Sequence, residues 1–486
     1  MDATRPLDSK VQGLVEAVLE GRLTRRQAQR LAEQLRAGDP VLVSFLMLVA
    51  RRFAELTSQL EHAKTPDPST PSGQVPIYTK PNISKRRRPP GAKPGHKGSR
   101  RAQPQQIDRH EEHRLERCPD CGGELQRCRQ TRRRIIEDIP EDIRIEATEH
   151  TIHRDWCPRC KKHVEPVVPD ALPKATLGHR AVALTAWLHY GLGVTIDQIV
   201  DVIGYHLHTK LSRGGLVAAW QRLATILQAW YEQIAREALV SAVLHADETG
   251  WRVNGQGYWL WCFANRTCCY YMIDRCRGSP ALEKFFTDCF DGTLVTDFWP
   301  VYDSVWANER QCCLAHLLRE LERVDRTNRS AGWQAFAKKL RRLVRDGIRL
   351  RKRPDFSPQR YASRIRLIDR RLMELARGHY SDSDASRLAK RLLKHCDQLF
   401  TFLDYPEVPY DNNLVERMLR PAVILRKASQ SNRSEKGAAT QAILMSVYRT
   451  LKLRGHHPID TLVSALKTYV STGQLPALPG PVTTDG

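Results

Sequence analysis

Between Leu239 and Val324 the chain runs through short apolar segments in an order that admits few folds. Leu239–Ala246 is an apolar run that stops at Asp247. Trp251-Arg-Val and Tyr258–Phe263 flank Asn254-Gly255-Gln256-Gly257, a hairpin turn. Cys268–Ile273 reads as a third strand, Ser279–Phe290 as a helix, and Thr293–Thr296 as a fourth strand that stops at Asp297. Residues 311–315 read as a fifth strand leading into a helix over His316–Val324.

The order β-β-β-α-β-α-β-α is that of a ribonuclease H-like core, a mixed five-stranded sheet with helices. Its first and fourth strands are central neighbours, so Asp247 and Asp297 are expected side by side. A carboxylate at the end of a buried strand needs a partner or a metal. A third acid, Glu416 in Asp411-Asn-Asn-Leu-Val-Glu-Arg417, lies just inside a predicted helix. Two strand-end aspartates and a helical glutamate are what a two-metal phosphoryl-transfer site requires, and all-oxygen ligands suit Mg²⁺. The competing reading of Glu416 is local: Asn413 caps the helix and Glu416 closes a capping box three residues on. Glu248, Asp303 and Asp411 are nearby carboxylates that have to be told apart from the ligands. Arg417, Arg420, Arg426 and Lys427 surround Glu416 and suit phosphate contacts.

A chain of 486 residues exceeds what one core accommodates, so the architecture is expected to be multidomain α/β. Lys and Arg outnumber Asp and Glu by 77 to 54, a formal charge of +23, which points to a polyanionic partner. Membrane is the rival, but the longest apolar stretch, Val41–Ala50, is half the roughly 20 residues a spanning helix needs. The N-terminal residues lack a basic-then-apolar export pattern, so reduced thiols and a cytoplasmic location are expected.

The segments divide as follows. Residues 1–64 read as a helical, zipper-like domain: Leu42, Leu46, Val49, Phe53, Leu56, Leu60 and Ala63 keep a four-three spacing, which suits a coiled coil or an ordinary packed helix. Residues 65–104 form a Pro/Gly-rich arm with eight basic residues and no acid between Ser84 and Arg101. Lys85, Arg86, Arg87, Arg88, Lys93 and Lys97 suit an extended track along DNA phosphates. Within 105–172, Cys118-Pro-Asp-Cys121 and Cys157-Pro-Arg-Cys160 are paired knuckles of the kind that hold structural Zn²⁺, a zinc ribbon. The 35 residues between them are long for a ribbon, but Arg132–Ile139 and Ile143–Trp156 alternate like a hairpin. Cys128 and His163 are spare donors that read more simply as surface residues.

Residues 173–238 read as helices, with Val194–Gly204 and Leu211–Leu227 patterned like a helix-turn-helix or like any pair of amphipathic helices, Gly204 marking the stop. The core then runs over 239–324 and 406–440 around a helical insertion at 325–405, and 441–486 form a C-terminal helical segment and tail. From Lys338 to Arg371 the insertion holds fourteen Lys or Arg against three acids, an excess that suits a DNA-clamping surface.

Several of these motifs, in order, resemble the insertion sequence 66 family of bacterial DDE transposases. They are the zipper-like helix, Gly91-Ala-Lys-Pro-Gly-His-Lys97, the two knuckles, His245-Ala-Asp-Glu-Thr249, Thr296-Asp-Phe-Trp-Pro-Val-Tyr302, Cys313-Leu-Ala-His316, Asp411–Pro421 and Tyr448–Leu462. The resemblance implies that Asp247, Asp297 and Glu416 are the catalytic, Mg²⁺-binding triad. It also implies DNA end cleavage and strand transfer at the element's terminal inverted repeats, a target DNA, a homo-oligomer, a nucleoid-associated location, and small accessory proteins of the same element as partners. Cys313 and His316 match a Cys-x-x-His feature of several DDE lineages and stand as a structural or DNA-proximal pair. Ala428–Gly437 is more polar than the aromatic-containing run usual there. The rival readings are a nuclease or resolvase that cuts without joining and a non-catalytic, domesticated DNA-binding regulator.

Overall fold

The computed structural model describes residues 104–482, apart from 105, 127–132, 138, 141–142, 288, 354–355 and 430–431. The zipper-like helix, the basic arm with Lys85, Arg86, Arg87, Arg88, Lys93 and Lys97, and Cys128 lie outside the described residues. The described chain forms two compact units, one of the residues up to Pro166 with Ile196–Val217, the other of Val167–Thr195 with Ala218 onward.

In the first unit, β1 (Asp155–Cys157) and β2 (Lys162–Val164) make a small antiparallel hairpin. The alternation over 133–154 yields no strand among the described residues; it leaves Ile135, Ile136, Ile143 and Ile152 exposed, without the buried face a strand pairing would need. In the helical region, α1 (His179–Ala186) runs into a π turn, and α2 (Ile196–Leu207) and α3 (Arg213–Leu239) follow. Gly204 does not end α2; the helix continues to Leu207 and breaks at His208, whose φ is 51°.

The second unit is built on a sheet of β3 (Val243–Val253), β4 (Gln256–Ala264), β5 (Cys269–Asp274), β6 (Phe290–Thr296) and β7 (Ala307–Cys312) in the order β5-β4-β3-β6-β7. The three leading strands are antiparallel; β6 and β7 run parallel to β3. The first and fourth strands are therefore central neighbours, as the element order requires. One difference is that β3 does not stop at Asp247. It continues to Val253, so the first strand and the first hairpin arm are one 11-residue strand. Between β5 and β6 lies α4 (Ser279–Phe285), shorter than its apolar pattern suggests.

Gly292 is required where β6 leaves Ser241–Ala242: a Cβ there would sit 2.3 Å from the Ser241 carbonyl oxygen and 2.9 Å from that of Ala242. The free edge at β5 is covered by α11 (Glu435–Leu453), whose hydroxyls take up strand amides. The Tyr271 N–H donates to Ser446 Oγ at 2.9 Å and the Cys269 N–H to Thr450 Oγ1 at 3.1 Å.

After β7 come α5 (Leu314–Thr327), α6 (Ala331–Arg351), α7 (Pro358–Ala376), α8 (Ser383–Lys394) and the single turn α9 (Thr401–Asp404). Ser330, Ser357 and Asp382 cap α6, α7 and α8 with side-chain oxygens. Leu317, Leu321 and Val324 of α5, Trp333, Phe336, Leu340 and Leu343 of α6, and Leu372 of α7 fill one core. The chain returns through α10 (Asn413–Ser429) and α11 and ends with α12 (Pro458–Thr472).

Candidate active site

The registered pairs of β3 and β6 are Val243 with Thr293, Leu244 with Leu294 and His245 with Val295. Two residues beyond that last pair stand Asp247, half-buried within β3, and Asp297, the residue after the end of β6. Asp297 is 8 % exposed, and its Oδ1 accepts the Trp299 N–H at 2.9 Å. Asp247 Oδ1 accepts the Glu248 N–H at 2.9 Å. Burial, then the charge of Glu248, push the Asp297 carboxyl up to about 7. Burial and the charges of Glu248, Asp297 and Glu416 hold Asp247 well above the usual carboxylate range. Glu248 thus acts on both aspartates, and Asp297 and Glu416 each act on Asp247.

Glu416 does not close a capping box. Asp411 Oδ1 accepts the Asn413 N–H at 3.1 Å, and the Glu416 carboxylate turns to α5. Its Oε1 accepts from Arg319 Nη2 at 2.7 Å and lies 3.7 Å from His316 Nε2. Asn412, fully buried, pins this helix start to β3. Its amide group donates to the Ala246 carbonyl at 2.9 Å and its Oδ1 lies 2.8 Å from His245 Nδ1, while its backbone N–H donates to Cys313 Sγ at 3.1 Å.

The three other acids are each engaged elsewhere. Asp411 serves the turn above, and Asp303 pairs with Lys394 at 2.7 Å. Glu248 is 1 % exposed and accepts from the Tyr302 hydroxyl at 2.7 Å and from Arg277 at 3.1 Å. The Arg277 guanidinium lies between Trp259 and Trp299, 4.4 and 4.1 Å from their ring centres. This clamp ties β3 and β4 to the turn that carries Asp297. Sequence reasoning missed Arg277, Arg319 and the pinning role of Asn412. Asn412 lies inside the Asp411–Arg417 motif, but Arg277 and Arg319 show no spacing signal.

Of the basic residues near Glu416, Arg417, Arg420 and Lys427 are exposed. Arg426 is half-buried and donates to Thr249 Oγ1 at 3.1 Å, which makes it a tie between α10 and β3. The polar run after α10 also packs back on the sheet: Asn432 accepts the Trp251 indole N–H at 2.7 Å and exchanges backbone bonds with Arg252 and Asn254.

In the other unit each Cys-x-x-Cys turn ends in a left-handed residue, Gly122 (φ 70°) and Lys161 (φ 49°). The Asp120 and Cys121 amides lower the Cys118 thiol, and the Cys160 amide lowers Cys157. Among the described residues the one group of three or more donors close enough to share an ion is Cys313, His316 and Glu416. His163 stacks edge-on against Trp156. No helix among the described residues is long and apolar enough to cross a membrane.

The model of the transposase IS66 family matches residues 174–440, more than half of the chain. The chain belongs to the IS66 family of transposases. The matched span begins before β3 and runs into α11, so it takes in all three acids and the helical insertion. An uncharacterized protein of Sinorhizobium fredii (strain NBRC 101917 / NGR234), y4jD, is 24% identical over 391 residues, 73% of this chain and 75% of that protein. A second uncharacterized protein of the same strain, y4qI, is 26% identical over 293 residues, 53% of each chain. IS66 membership implies a transposase enzyme that binds DNA and suggests use of a divalent metal.

Proposed function

We propose that this IS66 transposase cuts DNA at the terminal inverted repeats of its element and joins the freed ends to target DNA by a DDE mechanism. The observation that carries the reading is the placement of Asp247 on β3 and of Asp297 directly after β6, its parallel neighbour, with the charges of Asp297 and Glu416 both raising Asp247. Asp247, Asp297 and Glu416 would hold two Mg²⁺ ions, which when bound activate the attacking oxygen and neutralise the leaving one. The donor set is all oxygen, which suits Mg²⁺, and burial with neighbouring charge holds Asp247 and Asp297 above the usual carboxylate range, a condition a cation relieves.

The chain's own residues supply position. The Arg277–Glu248–Tyr302 clamp fixes the Asp297 turn, and Asn412 fixes the start of α10 against β3. Exposed Arg417, Arg420 and Lys427 contact phosphates beside the acids. Hydrolysis of one phosphodiester frees a 3′-hydroxyl. Attack of that hydroxyl on a target phosphodiester then forms one bond for each bond broken, so no covalent protein intermediate and no external energy source are needed.

Cys118, Cys121, Cys157 and Cys160 would hold structural Zn²⁺, for which thiols lowered by backbone amides are suited. With the basic arm they would contact end DNA, and the zipper-like helix would assemble a homo-oligomer. Labelled end DNA incubated with the full chain and Mg²⁺ tests the reading. Joined products are expected; cut but unjoined ends would favour a nuclease, and binding without cutting a regulator.

A further inference from the structure

We infer that Cys313, His316 and Glu416 form a second metal site, selective for a zinc-class ion, that shares Glu416 with the acid cluster. Cys313 is the N-cap of α5 and His316 lies one turn on, so a three-residue step puts both donors on one face of the helix start. Glu416, in the first turn of α10, faces them, and one donor atom from each of the three lies within 4.8 Å of the others. His316 Nε2 and Glu416 Oε1 are 3.7 Å apart, near the roughly 3.3 Å between two ligands of one tetrahedral zinc.

A further feature points to a ligand. Cys313 Sγ is fully buried and accepts the Asn412 N–H, the orientation of a sulfur that acts as an electron donor. Sulfur, nitrogen and oxygen together favour Zn²⁺ or Co²⁺ over Mg²⁺, whereas Asp247 and Asp297 offer oxygen alone. Arg319 now stands on Glu416 Oε1; its side chain is 46% exposed and can swing to solvent when an ion takes its place.

Glu416 is the one residue in both sets. A zinc-class ion held by Cys313 and His316 draws the carboxylate from the Mg²⁺ cluster and opposes strand chemistry. That consequence rests on the proposed function, but the binding itself does not. Titration of the full chain with Co²⁺, read by thiolate-to-cobalt absorption without DNA, separates the two. The wild type is expected to bind one more Co²⁺ per chain than Cys313→Ser. Glu416→Gln, in the half-buried first turn of α10, is expected to weaken that ion by roughly 10–100-fold even if Cys313→Ser perturbs folding, since losing a ligand costs at least as much as losing an outer-shell partner. Superimposable titrations for wild type and both variants would overturn the site. In cleavage assays micromolar Zn²⁺ is expected to inhibit the wild type and spare Cys313→Ser; equal inhibition of both would overturn the regulatory role. Cobalt lost from both variants, with no Mg²⁺-dependent cleavage by the wild type, would leave the site standing and remove the proposed function instead.

Discussion

The central sheet and the helical insertion that follows β7 use charge in opposite ways. At the sheet's centre the charged groups are few and individually placed: Asp247 is half-buried on β3, Asp297 is buried just past the end of β6, and Glu248 is held by Tyr302 and Arg277. In the insertion the apolar stripes of α6 and α7 turn inward and the basic residues turn out. They line a groove of about 780 Å³ that includes Lys339, Arg342, Arg349, Arg364 and Arg371. Arg371 pairs with Asp346 at 2.9 Å, whereas Lys339, Arg349 and Arg364 have no ion-pair partner among the described residues. A buried carboxylate on a strand acts through one position, while an exposed basic face acts through its sum.

The sharpest way to break this contrast is to neutralise one sheet acid. Asp247→Asn or Asp297→Asn should lower Mg²⁺-dependent strand transfer by on the order of 10³-fold or more, since metal-held charge stabilisation is worth several kcal/mol. End-DNA affinity, read by gel shift, should stay near that of the wild type. A variant that loses binding together with joining would show that the acids shape the DNA surface as well.

The insertion's apolar side comes next. Trp333→Ala, which empties a fully buried site at the start of α6, should cost about 3–5 kcal/mol in chemical denaturation. Glu320 of α5 is placed like the charges of the sheet, buried and held by the insertion's Arg387 at 2.6 Å and by its Arg391. Glu320→Ala should cost about 3 kcal/mol, the low end for a broken buried pair because both arginines are partly exposed. Gly292→Ala should cost about 1–3 kcal/mol through its clash with the Ser241 and Ala242 carbonyls. Smallest are the groove residues: Arg349→Ala and Arg364→Ala should each leave stability unchanged and reduce the salt dependence of DNA binding by about one ion.

The strand order was legible because period-two apolar runs and one hairpin turn leave few ways to arrange five strands. That order alone led to the expectation of Asp247 beside Asp297. Strand ends were less legible: Asp247–Trp251 breaks the apolar pattern with polar residues, yet pairing with β4 carries β3 through to Val253. Glu416 shows the limit most clearly. Its local sequence allowed a capping box, and only the approach of α5, through Arg319 and His316, draws the carboxylate away. The Arg277 clamp had no sequence signal because its partners, Trp259, Trp299 and Glu248, come from three separate segments. The alternation over 133–154 suggested a hairpin that the described residues do not form.

Glu416 is thus the acid on which the account depends most, and its isosteric removal is the most direct test. The measurement is Mg²⁺-dependent joining of labelled end DNA by wild type and by Glu416→Gln at equal end occupancy. The account predicts joined product from the wild type and none above background from Glu416→Gln. Joining by Glu416→Gln at the wild-type rate would contradict it.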